Sequence, residues 1–114
     1  MNYILKLALV LLLIYPISAF GQSPNGISYQ AVATDSDGVE LSSQNISVRF
    51  TIVSGSPTGA YEYIEIHNAV TDDFGLFTLI IGQGSYDDGN VDSLSEVDWG
   101  GNTHYLKVDM DPDG

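Results

Sequence analysis

The chain has 114 residues, room for one ordinary domain and no second. With 15 acidic residues against 3 basic ones the formal charge is −12, so there is no cationic surface to hold phosphates, and nucleic-acid binding is excluded. The absence of Cys excludes a disulfide framework, a thiolate zinc site and a cysteine nucleophile.

The first element reads as a secretory signal peptide over residues 1–21. Lys6 gives the positive start, Leu7 to Tyr15 (LALVLLLIY) the apolar stretch, and Pro16 its end. Ala19-Phe20-Gly21 places small residues where cleavage before Gln22 needs them. A membrane anchor needs about 20 apolar residues, and Pro16 and Ser18 interrupt sooner. The expectation is an exported domain of residues 22–114, secreted or held at the cell surface, with no membrane span after cleavage. Losing Lys6 leaves Arg49 and Lys107 as the basic residues, and the formal charge becomes −13.

Beyond Gln22 the apolar period is two, in short β-branched and aromatic runs, which is an all-β signature. Ile27 to Ala33 (ISYQAVA) is the first expected strand and Ile46 to Val53 (ISVRFTIV) the second. In the second, Ile46, Val48, Phe50 and Ile52 point to a core, while Ser47, Arg49 and Thr51 point to water. Ala60 to His67, Leu76 to Gly82 and Tyr105 to Met110 follow as further strands. The punctuation between them, Asp35-Ser36-Asp37-Gly38, Gly55-Ser56-Pro57-Thr58-Gly59 and Asp72-Asp73-Phe74-Gly75, carries turn residues. Ser93-Leu94-Ser95-Glu96 has a capping-box pattern, which predicts at most about one helical turn delivering Trp99 to the core. Five or six short strands at this spacing predict an antiparallel β-sandwich, immunoglobulin-like or prealbumin-like.

Several segments occur in a distinctive order: Gly26-Ile27-x-Tyr29-Gln30-Ala31-Val32-Ala33, then Asp35 and Gly38, Val48-Arg49-Phe50-x-Ile52, Gly75-Leu76-Phe77-x-Leu79-x-Ile81-Gly82-x-Gly84, Asp98-Trp99-Gly100 and Tyr105-Leu106-Lys107-Val108. The series resembles the amino-terminal module of a group of secreted and cell-surface proteins of Bacteroidota, over essentially all of residues 22–114. The resemblance implies a β-sandwich directly after the signal peptide, ahead of variable regions of a longer protein. It implies no catalytic residues. It also implies a further strand after Gly114, so the expected sandwich lacks its last strand and has an open edge.

The chemical motifs are weak beside this pattern. Asp109-x-Asp111-x-Asp113-Gly114 reproduces the start of a calcium loop, but calcium takes six to eight oxygens, and an acidic turn explains the residues as well. Asp35-Ser36-Asp37-Gly38 and Asp87 to Asp92 read as solvated turns. Glu65 and His67 share a strand face, with His104 a neighbour across the fold; the alternatives are an acid–base or metal pair and a polar face in water, and alternation favours the latter. Tyr61 and Tyr63, alternating on the same strand, form an aromatic strip that either binds carbohydrate or braces the sheet. Asp92-Ser93-Leu94 is similar to the tripeptide that Bacteroidota glycosylate at the hydroxyl, which makes Ser93 a possible modification site in an exposed loop.

The expected function is therefore non-enzymatic: a structural or adhesive module in the amino-terminal part of a larger exported protein, with no catalytic residue and no cofactor. Its partners would be other domains of the same protein or cell-surface components. The alternative is a ligand-binding sandwich that recognises glycan or calcium.

Overall fold

The computed structural model describes residues 25–114, and the signal peptide of residues 1–21 lies outside them. Six strands follow in order: β1 (Ile27–Val32), β2 (Asn45–Ser54), β3 (Tyr61–Val70), β4 (Leu76–Ile81), β5 (Ser85–Gly89) and β6 (His104–Asp111). All pairings are antiparallel. One sheet runs β5-β3-β2-β6 and the other contains β1 and β4. The chain is an all-β protein whose two sheets pack as a sandwich.

The alternation in β2 explains why this strand sits at the centre. Ile46, Val48, Phe50 and Ile52 are all buried and form the floor of the core. Tyr29 of β1 covers Phe50 edge-on, with ring centroids 5.0 Å apart, and also lies against Phe77 of β4. A buried aromatic contact of this kind adds about 1 kcal/mol beyond its area. The opposite face of β2 is drier than alternation predicts, because Thr51 and Val53 are buried too. Both line a shallow depression with Pro57 and Tyr61, so the loop between β2 and β3 shields them.

Asp87 to Gly89, expected as the start of a solvated acidic turn over Asp87 to Asp92, belong to strand β5 instead. Ser85-Tyr86-Asp87-Asp88-Gly89 has no apolar alternation, and it pairs with β3 as a short edge strand. Charged, short edges are how sheets avoid pairing with strangers. The Ser93-x-x-Glu96 pattern gives a single 3₁₀ turn over Leu94–Glu96, and the Ser93 side chain makes no capping bond. Leu94 is buried, and the Trp99 indole N–H donates to the Leu94 carbonyl at 3.0 Å. Trp99 thus packs against the core as expected, and its ring lies 5.0 Å from that of His104.

Candidate functional site

Two places carry chemistry that the apolar core does not. The first is the Glu65 carboxylate on β3, fully buried and facing the same side as Phe50, its cross-strand partner. Glu65 is not on a wet face as alternation with polar residues suggested. Its Oε1 accepts from the Gly82 N–H at 2.5 Å and its Oε2 from the Gly84 N–H at 2.6 Å. His67 Nε2 lies 2.6 Å from the same Oε2. Both oxygens are therefore engaged, which is the condition under which a buried carboxylate is tolerated. Gly84 is required by proximity: a Cβ there would collide with Glu65 Oε2 and His67 Nε2. Gly82, at φ +107, takes a conformation that suits glycine. The arrangement clamps the turn between β4 and β5 onto β3, and its donors are spent on that clamp.

Burial of the neighbouring Tyr63, and then the Glu65 charge beside it, push the Tyr63 phenol up to about 12. Tyr61, expected on the same face as Tyr63, is on the other. The register of β2 and β3 shifts between Ile52 and Val53, pairing Ile52 with Tyr63 but Val53 with Tyr61. Glu62 is the extra residue of this bulge. Tyr61 is exposed, and its hydroxyl donates to Asp88 Oδ2 at 2.8 Å. That bond, with the Asp88 charge, raises the Tyr61 phenol, and the same bond lowers the Asp88 carboxyl. Tyr61 and Tyr63 therefore do not form one strip, and Tyr63 lies instead against Tyr86, ring centroids 6.3 Å apart. His104 does not join His67; it meets Glu62, with His104 Nε2 3.3 Å from Glu62 Oε2.

The weak calcium candidates are not gathered. Asp109 Oδ2 pairs with Arg49 at 3.2 Å on the outer face. Asp111 accepts from the Asp113 N–H at 3.0 Å, an ordinary turn contact. Among the described residues no three acidic or histidine side chains are placed to share a metal ion. Ser93, expected in an exposed loop, is half-buried, with its Oγ 3.3 Å from Ser95 Oγ.

The second place is the β6 flank, whose uncovered inner face the sequence reading did not foresee. Pairing with β2 sets Val108 beside Phe50, Leu106 beside Ile52 and Met110 beside Val48. These β6 side chains belong to the inner face. Yet Leu106 is 43% exposed and Val108 37%. The reason is width: four strands form one layer and, among the described residues, only two form the other, so Trp99 packs on His104 at the start of β6 and Met110 reaches the core at its end, but no strand of the second layer covers Leu106 and Val108 between them. No sequence signal marks this, because an uncovered inner residue and a covered one share the same alternation.

Residues 28–114 match the family described as a domain of unknown function (DUF8740), and the chain belongs to that family. No curated protein and no solved structure matches it.

Proposed function

We propose that this domain is a non-enzymatic structural or adhesive module, immunoglobulin-like or prealbumin-like in kind, exported in the amino-terminal part of a larger secreted or cell-surface protein. The observation that carries the reading is the uncovered inner face of β6. Leu106 and Val108 stand in register with buried Ile52 and Phe50, and apolar side chains left open on an interior face mark a contact surface. In this reading the rest of the larger protein supplies the missing cover over β6. The groups best suited to acid–base chemistry have structural employment: Glu65 and His67 in the turn clamp, His104 against Glu62. The resemblance to amino-terminal modules of Bacteroidota surface proteins supports the same placement.

Amino-terminal sequencing and intact mass of the protein recovered from its native cells test this reading. The expected product starts near Gln22, lies outside the cytoplasm and is heavier than residues 22–114. A cytoplasmic product that keeps Met1, or an exported one that ends at Gly114, overturns it.

A further inference from the structure

The outer face of the four-stranded sheet carries a depression of about 370 Å³ beside the β2–β3 loop, within the size range of small-ligand sites. Thr51 and Val53 of β2 are its floor. Pro57 and Thr58 of the loop and Tyr61 of β3 lie on one side, and Lys107 of β6 lies across β2 from them. Strand β2 is paired on both sides, so the site needs no sheet edge, and it faces away from the open inner side of β6. Thr51 is 7% exposed and its hydroxyl bonds no protein group among the described residues, yet no polar side-chain atom there is both occluded and unpartnered. The hydroxyl therefore opens into the depression. Tyr61 is exposed, with its hydroxyl held on Asp88 Oδ2 at 2.8 Å, which fixes the ring in place. Of the two basic side chains after the expected cleavage site, Arg49 is paired with Asp109 at 3.2 Å. Lys107 has no ion pair among the described residues, in a chain with 15 acidic ones.

From these groups we infer that the depression binds the uronic-acid residue of a glycan. The C–H face of the sugar ring rests on Tyr61, Val53 and Pro57, its hydroxyls meet those of Thr51 and Thr58, and its carboxylate reaches the Lys107 ammonium, a charge-assisted contact. An aromatic ring beside polar groups suits a ligand that is apolar on one face and polar at its rim. A neutral sugar would leave the lysine unused, and a simple anion would leave the apolar floor and both threonine hydroxyls unused. The formal charge of −13 after cleavage opposes any anion at long range. At physiological salt that repulsion is screened beyond about 8 Å, so the lysine at the site decides. The inference adds a ligand to the adhesive reading and does not depend on what covers β6.

Amide NMR of the exported chain, titrated with methyl β-glucuronide, methyl β-glucoside and acetate at equal ionic strength, tests the site. The expected dissociation constant for the glucuronide is about 1 mM or weaker, the range for so small a ligand on an open surface, with shifts centred on Thr51, Thr58, Tyr61 and Lys107. The glucoside should bind about threefold more weakly, the worth of an exposed ion pair, and acetate more weakly than either. Lys107→Gln should abolish the preference for glucuronide over glucoside. Thr51→Val, which keeps a β-branched side chain, should weaken both sugars by about threefold, the worth of one hydrogen bond. Melting of each variant is recorded alongside; where Thr51→Val unfolds the chain, Thr58→Val in the exposed loop replaces it. No shift up to about 20 mM glucuronide, shifts centred elsewhere, a glucoside or acetate that matches the glucuronide, a preference that survives Lys107→Gln, or binding indifferent to the threonine variant overturns the inference. A chain exported as part of a larger protein that nonetheless ignores all three probes leaves the proposed function standing and removes only the sugar site.

Discussion

Phe50 and Val108 sit side by side on adjacent strands and point the same way, but Phe50 is fully buried and Val108 is 37% exposed. The difference lies above them. Phe50 has Tyr29 of β1 over it at 5.0 Å, and Val108 has no strand of the smaller sheet over it. One face of one sheet therefore holds two physical regimes, a sealed centre under β1 and β4 and an open flank along β6. Burial in a sandwich is decided by the width of the facing layer, and the pattern within a strand does not report it.

Substitutions should separate the regimes. The largest effect is expected for Phe50→Ala, which removes the ring under Tyr29 and leaves a cavity; it should cost about 3–5 kcal/mol in denaturant unfolding. Glu65→Gln comes next. It replaces one acceptor oxygen with an amide N–H facing the Gly82 or Gly84 N–H, and breaking a buried charged network costs about 3 kcal/mol. Hydrogen exchange at Gly82 and Gly84 should accelerate in the same variant, while exchange in the β2–β6 ladder changes least.

Alkaline titration gives a third distinction. The Tyr63 phenol, raised to about 12, keeps its proton in the folded state after the unfolded chain has lost it near 10. The folded state then binds more protons across that window, so stability is fully present below about pH 10 and declines as pH rises toward 12. Tyr63→Phe should flatten this decline in melting temperature, although Tyr61 and Tyr86 contribute smaller slopes from their own raised phenols. The smallest effects belong to the flank: Leu106→Ser and Val108→Ser should each cost about 1 kcal/mol or less, since much of each side chain is already in water. Costs matching that of Phe50→Ala would erase the contrast.

The centre was more legible in the sequence than the flank. Ile46, Val48, Phe50 and Ile52 declare their face by spacing alone, and Tyr29 and Trp99 fall where an apolar strand and a short turn deliver them. Glu65 was in phase with these residues, yet its burial depends on two amides 17 and 19 residues further on, and a strand pattern carries no record of such donors. The Gly82-Gln83-Gly84 spacing was the available clue, since paired glycines mark close backbone approach. The bulge at Glu62 is set by β2, so the opposed faces of Tyr61 and Tyr63 could not be read from β3 by itself. Strand β5 escaped notice because Tyr86 is its one large apolar residue; its place comes from β3, which offers an edge to pair.

The most direct test is methyl NMR of the dilute monomeric domain with a neutral, soluble paramagnetic relaxation agent. Strong broadening is expected at the Leu106 and Val108 methyls, with little change at Val48 and Ile52, the β2 residues that flank Phe50 on the same face. Equal protection of all four would contradict the contrast between centre and flank, since the inner face would then be sealed out to β6.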